Sequence, residues 1–296
     1  MVKRILEYKI PTEYIGKRVD KFLEGQGYPK QAVTNLRKNP GLLKVNGETV
    51  FMNYRFAGED NLIVVIEEEE TEASFNAVDL SIKVIYEDSD IIVLEKSAGM
   101  PIHPSINNYD NTLANALAFY FMQKNEAFVF RCINRLDKDT SGLTIIAKHY
   151  LAAGILSDEM RERRIKREYT AIVEGCDIPD EGTIDMPIAR VSESVITREV
   201  NYEKGDNAIT HFRVVKKDEL RNISMVKLVL ETGRTHQIRV HMKAIGHPLC
   251  GDYIYNPNNH LMNRQALHAG KIEFIHPITK QFMSFETEIP EDMTWF

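Results

Sequence analysis

The stretch Ile133-Asn134-Arg135-Leu136-Asp137-Lys138-Asp139-Thr140-Ser141-Gly142-Leu143 runs directly into Thr144-Ile145-Ile146-Ala147. Short polar residues and a glycine precede an apolar, β-branched run, so a loop should deliver a carboxylate at the edge of a buried strand. Arg135 and Asp137 are two apart and share one side of an extended chain. Taken alone, such a pair is more often a surface turn with a local ion pair than a site. The neighbouring stretches decide between the two readings.

Outward from that loop the pattern is mostly strand. Ile82-Lys83-Val84-Ile85-Tyr86 and Ile91-Ile92-Val93-Leu94 flank the turn Glu87-Asp88-Ser89-Asp90. Further strands are predicted at 143–147, 169–174, 211–216, 225–231 and 272–275, with helices at 112–122, at 151–165 and after Gly233. Strands outnumber helices and hairpin-like neighbours are common. This predicts an α+β fold over residues 80–296, with a mixed, mainly antiparallel sheet flanked by helices.

The first 70 residues read as a separate small α+β unit. Val19, Phe22 and Leu23 recur at helical spacing, and Gly25 and Gly27 break the pattern. Pro29 suits the first turn of a second helix, which carries Val33 and Leu36 inward and shows Lys30, Arg37 and Lys38 outside. Pro40-Gly41 ends it. Leu43-Lys44-Val45 and Thr49-Val50-Phe51 flank Asn46-Gly47, a pair that tolerates the positive φ of a tight hairpin. Leu62 to Ile66 supplies a last strand. An ordinary α+β module and an RNA-binding one fit this pattern about equally. The glutamates of Glu67-Glu68-Glu69-Glu70-Thr71-Glu72 repel one another, so residues 71–79 are expected to be a solvated, mobile acidic linker with no apolar anchor. Two units so joined should not share a large apolar interface.

Composition narrows the class. The chain has 296 residues, 43% hydrophobic and 27% charged, ordinary for a soluble globular protein. No run is long and apolar enough to span a bilayer, and the N-terminus lacks a signal-peptide core. Three dispersed cysteines, with no Cys-x-x-Cys pair, argue against a disulfide framework or thiolate metal site and fit a cytoplasmic location. The net charge of −6 counts weakly against a polyanionic partner, yet the cations are segregated into Arg161-Glu162-Arg163-Arg164-Ile165-Lys166-Arg167. A local basic face, not the total, attracts phosphates.

Three more stretches bear chemistry. In Glu231-Thr232-Gly233-Arg234-Thr235-His236-Gln237-Ile238-Arg239-Val240-His241, Gly233 permits a sharp turn and Thr235 is the expected N-cap of a helix. His236, Arg239 and Lys243 then share a face, and Arg234 beside a helix start suits an anion, either a phosphate or a carboxylate. His236 and His241 lie about 140° apart round a helix, a poor spacing for paired metal ligands. In Ile165-Lys166-Arg167-Glu168-Tyr169, a basic helix end meets a strand. Tyr169 either stacks on a base with Lys166 on phosphate, or is simply half-buried. Glu95-Lys96-Ser97-Ala98-Gly99-Met100-Pro101-Ile102-His103-Pro104 is a stiff loop in which His103 either contacts substrate or is structural.

Arg135-Leu136-Asp137 with Thr140-Ser141-Gly142 resembles the signature of RluA/RluD-type RNA pseudouridine synthases. The family's other marks stand in order: the Lys-x-x-Gly…His-Pro-type loop at 96–104, Lys-x-x-Tyr at 166–169, Gly-Arg-Thr-His-Gln-Ile-Arg-Val-His at 233–241, His-Pro-Leu-Cys-Gly-Asp at 247–252 and Leu-His-Ala at 267–269. The resemblance covers roughly residues 80–290, and the first unit resembles the small RNA-binding domain of ribosomal protein S-four. Asn134 stands where the family usually has His, and Ser97 where Pro is common.

The resemblance implies an isomerase that flips a uridine out of its stack, breaks its glycosidic bond and rejoins the base through carbon. It implies Asp137 as nucleophile or base, Tyr169 against the flipped base, and Arg234 paired with Asp137. It also implies RNA contacts from Arg135, His103, Lys166, His236 and Arg239, and from Lys30, Arg37 and Lys38 in the first unit. No metal, cofactor or obligate protein partner is expected. Ribosomal RNA is the expected substrate, with transfer RNA the alternative. Two rivals differ in class. One is a catalytically silent RNA-binding protein, which retention of Asp137, Tyr169 and Arg234 argues against. The other is a carboxylate-dependent nucleoside or sugar hydrolase, which leaves the basic helix end unexplained.

Overall fold

The computed structural model describes residues 1–69, 75–192, 194 and 196–294. The chain begins with strand β1 (Val2–Lys9), then helices α1 (Val19–Gly25) and α2 (Lys30–Lys38). Strands β2 (Leu43–Val45), β3 (Glu48–Thr49) and β4 (Asn61–Glu68) complete a four-stranded sheet ordered β1-β4-β2-β3. Asn46 and Gly47 both hold positive φ, 50° and 89°, so the Asn-Gly turn forms as its chemistry requires. Strand β1 was not anticipated. Only Leu6 of its eight residues is buried, so it lacks the apolar alternation that marks a strand.

The second body follows as β5 (Lys83–Glu87), β6 (Ile91–Lys96), α3 (Leu113–Gln123), β7 (Ser141–Ala147), α4 (Tyr150–Arg161) and β8 (Lys166–Glu174). Next come β9 (Glu181–Asp185), the ribbon β10 (Ile188–Arg190) and β11 (Arg198–Val200), β12 (Ile209–Asp218), β13 (Ile223–Leu230), α5 (Gln237–Ala244), β14 (Leu267–Ile275) and β15 (Phe282–Glu286). Its nine-stranded sheet runs β5-β6-β7-β14-β8-β13-β12-β9, with β15 on β14. Among the described residues, only β7 and β14 pair in parallel. The fold is thus α+β with a mixed, mainly antiparallel sheet. Apolar clusters lie under α3, α4 and α5.

Gly142 sits at the parallel junction with φ 115°, and an added Cβ would lie 2.3 Å from the Ala269 carbonyl oxygen. Only glycine lets β14 approach here. That contact draws the strand following the Asp137 loop into the middle of the sheet.

The expectation of a freely tethered first unit is not met. Ala32, Val33 and Leu36 of α2 belong to the same buried cluster as Leu151 and Ile155 of α4. Pro29 packs where Gly154 has no side chain, Arg4 bonds Asp90 at 2.8 Å, and Arg131 pairs with Glu68. A unit of this size buries too little surface alone, so its core extends onto the neighbouring helix. Of the expected linker, residues 71–74 lie outside the described residues. The remainder is anchored after all: Phe75 packs edge-on against Phe130, and Asn115 holds the backbone of Asn76 and Val78.

Candidate active site

A cleft of about 680 Å³ opens where the Asp137 loop, the end of α4, the start of β8 and the turn before α5 converge. Asn134 builds its floor. It is buried; its amide donates to the Leu143 carbonyl and its side-chain oxygen accepts from Ile145 N–H, both at 2.9 Å. The loop is thereby fastened alongside β7. Lys96 fastens its other side. Its buried ammonium donates to the carbonyls of Ser97, Met100 and Lys138. Burial pulls Lys96 down to about 7, with the charges of Asp139 and Asp137 opposing.

Asp137 is one-quarter exposed at the cleft floor. Its Oδ2 accepts from Arg239 Nη1 at 3.1 Å, and His236 Nε2 lies 3.8 Å away. Arg239 is held in turn. Its Nε and Nη2 donate to the two oxygens of fully buried Asp252, each at 2.7 Å. Asp252 Oδ1 also accepts from the backbone of Ile254 and Tyr255. The Tyr255 ring faces the guanidinium at 5.0 Å. Burial opposes the charge on Arg239, but its carboxylate partners outweigh it and raise its pKa.

The Tyr255 hydroxyl accepts from Arg198 N–H at 2.9 Å and meets His236 Nδ1 at 2.9 Å. The other ring nitrogen, Nε2, faces Asp137, so the tautomer in which Tyr255 donates to Nδ1 is the one that presents Nε2–H to the carboxylate. Burial lowers the His236 pKa, favouring the neutral ring. His236 also has φ 58°, in the left-handed region that residues with a Cβ adopt only at a cost. Tyr169 lines the cleft, and its ring is buried. Burial raises its pKa, so it stays a phenol at neutral pH.

The expected Arg234–Asp137 pair is not formed. Arg234 belongs to the turn and leans away, donating to the Asn207 carbonyl at 3.1 Å and lying 3.5 Å from Asp206. Arg239 is further along, within α5. Helical side chains tilt toward the N-terminus, and this brings its guanidinium back to Asp137. Arg239, expected as an RNA contact, is buried instead. Thr235 is not the N-cap; that position is His236, and the Gln237 side chain accepts from Arg234 N–H and the Thr232 hydroxyl.

Lys166 does not line the cleft; Arg167 does. Along β8, residues two apart share a face, so Arg167 accompanies Tyr169 and Lys166 points the other way. That alternation was the signal that could have found Arg167. Asp252 closes the His-Pro-Leu-Cys-Gly-Asp mark, which gave it no role of its own, and Tyr255 had no signal, because both act by holding Arg239. Arg135, His103, Arg234 and His236 all line the cleft, whereas Lys30, Arg37 and Lys38 sit on α2 of the first unit. Altogether the lining holds Arg135, Arg161, Arg163, Arg167, Arg234 and Arg239 against only Asp137 and Glu231. Arginines therefore outnumber carboxylates in the lining, although Arg161, Arg163, Arg234 and Arg239 each pair with a carboxylate, Asp158, Glu231, Asp206 and Asp252 respectively.

Residues 90–244 match the family model described as RNA pseudouridylate synthase, and they contain every side chain just placed around Asp137 except Asp252 and Tyr255. The chain belongs to the RNA pseudouridine synthase family, RluA/RluD type. Among relatives of this synthase, the uncharacterized RNA pseudouridine synthase YhcT of Bacillus subtilis is 39% identical over 251 residues, covering 85% of this chain and 82% of the relative. Ribosomal large subunit pseudouridine synthase D of Haemophilus influenzae is 34% identical over 304 residues, covering 97% and 92%. The solved structure of human RNA pseudouridylate synthase domain containing 1 superposes with a TM-score of 0.59 at 28% identity, over 70% of this chain and 83% of that one. The protein is therefore an isomerase that converts uridine in RNA to pseudouridine.

Proposed function

We propose that this synthase modifies uridines of ribosomal RNA in the cytoplasm, with Asp137 starting the reaction. The carrying observation is a partly exposed carboxylate pinned by a buried guanidinium at the floor of an arginine-lined cleft. The ribosomal substrate is supported by relatives named as large-subunit synthases. Residues 80–296 form the catalytic unit, and residues 1–70, read as a small RNA-binding unit, meet the RNA through Lys30, Arg37 and Lys38.

The reaction moves atoms without adding or removing any. The bond from ribose C1′ to uracil N1 breaks, and a bond from C1′ to C5 forms. N1 gains a proton and C5 loses one. Unstacking the uridine costs a few kcal/mol; the exposed Arg135 fills the space left and binds the backbone. The base enters against the Tyr169 ring, while Arg161, Arg163, Arg167 and Arg234 compensate phosphates. Asp137 either attacks C1′ and displaces the base, or removes a ribose proton and drives elimination. Both routes need an oriented carboxylate, which Arg239 and Asp252 supply. Tyr169 is placed to pass a proton at the base.

The test is to map pseudouridines in total RNA from cells with and without the gene, restoring either the wild-type protein or Asp137→Asn. Sites in ribosomal RNA should vanish, return with wild type and stay absent with the variant. The purified variant should bind RNA nearly as tightly as wild type, with affinity falling steeply as salt rises. Loss confined to transfer RNA overturns the substrate, and rescue by Asp137→Asn overturns the mechanism.

A further inference from the structure

The first unit carries a second, smaller cavity of about 190 Å³, lined by Arg18, Leu36, Arg37, Pro40, Leu43, Phe51, Met52 and Asn53. Its floor is the apolar core: Leu36, Leu43 and Met52 are all buried. Phe51 stands at its edge with 64% of its surface in solvent. An aromatic ring so exposed beside an apolar cavity contributes nothing to the core. Two cations line it, Arg18 and the exposed Arg37; Lys38 is exposed next to Arg37 at the end of α2, and Lys17 and Arg55 are exposed on the two segments that meet at the Arg18–Arg55 bridge. Asp20 is buried among them, 2.6 Å from Arg18 and 3.8 Å from Arg37. The Nε of Arg18, which lines the cavity, is buried with no hydrogen-bond partner, as is Oδ1 of its ion-pair partner Asp20.

We infer that this cavity takes one unpaired base of the substrate RNA, stacked on Phe51, with Arg37 on the adjoining phosphate. A flat ring between an aromatic face and an apolar floor, rimmed by cations, is the chemistry of a single-strand nucleotide site. The cavity is smaller than the roughly 300 Å³ at which drug-sized sites begin, which suits one base and not a folded element. Asn53 offers a donor and an acceptor for the base edge.

The site stands at a fixed distance from the catalytic cleft. Helix α2, which ends at Arg37 and Lys38, shares its core with α4, and the last turn of α4 carries Met160 and Arg161 into that cleft. A base held at Phe51 therefore sets which uridine reaches Asp137. This inference rests on the RNA-modifying reading above.

The experiment uses the full chain in two arms. Short single-stranded RNA oligomers carrying one 2-aminopurine report stacking by loss of fluorescence, and an unmodified ribosomal RNA transcript reports affinity and turnover. Phe51→Ala should abolish the quench and weaken transcript binding roughly ten- to hundredfold, appearing as a higher KM. Phe51→Trp should restore both. Arg37→Gln should lower the salt slope of binding by about one. Phe51 is exposed, so Phe51→Ala leaves the core intact. A wild type inactive on every RNA defeats the underlying reading. An active wild type with unchanged affinity in Phe51→Ala, or a Trp variant as weak as Ala, overturns the base site alone.

Discussion

Replacing Arg239 by Lys keeps the charge and removes the fork, and it separates the two arginines of the turn and helix before and within α5. Arg239 makes three hydrogen bonds to two carboxylates, all charge-assisted. A lysine ammonium is a point donor on a flexible stem and cannot span Asp252 and Asp137 together. Its stronger hold is on buried Asp252, so the contact to Asp137 is lost first. A reacting group misplaced by roughly 1 Å costs about a hundredfold in rate, or about 2.7 kcal/mol of barrier. Losing one of the paired bonds to Asp252 removes a further ~1.5–3 kcal/mol of stability. Single-turnover isomerisation should therefore fall at least a hundredfold in Arg239→Lys, with a lower urea midpoint and nearly unchanged RNA affinity. Arg234 is 43% exposed and touches Asp137 nowhere. Arg234→Lys should move stability by no more than about 0.5 kcal/mol and affect RNA binding more than chemistry. The reverse result, a dead Arg234→Lys beside an active Arg239→Lys, refutes the assignment.

Asn134→Ala should cost about 2–4 kcal/mol, because it strips partners from two buried backbone groups of β7; chemical denaturation measures it, and a loss under ~1 kcal/mol contradicts the role given to Asn134. Acid should destabilise the protein through His268, which burial holds near 4 against an ordinary 6.5 while it bonds Ser141 and Thr287. The folded pKa is the lower one, so the unfolded chain binds more protons below the ordinary value and stability falls with pH. The loss should be about 2 kcal/mol between pH 6.5 and 5, read from urea midpoints, and His268→Gln should flatten it; an unchanged slope in that variant sinks the attribution.

The elements most legible in the sequence were those where local chemistry and global packing agree. The Asn46-Gly47 turn, Pro29 before α2 and the apolar run after Gly142 each announce their structure through backbone preference alone. What escaped was set by contacts between distant segments. Strand β1 is recruited by β4 rather than by its own pattern. The acidic run suggested a free tether, but Phe75 and the apolar face of α2 have partners that lie far along the chain. In the site, the motifs brought the correct loops together around Asp137, yet motif order cannot say which of two nearby arginines turns inward. That choice depends on where α5 starts, and the left-handed His236 and the capping Gln237 fix it.

The shared core between α2 and α4 also bears on how such a chain is inherited. A shuffled module normally brings its own sealed interior and leaves its neighbour's surface wettable. Here Leu151 and Ile155 are completed by the first unit, so deleting that unit strips an oily stripe along α4. Drift on either side of the seam is then answerable to the other. A substitution at Leu36 or Ile155 should therefore loosen both parts at once, and with them the span from the Phe51 cavity to the cleft.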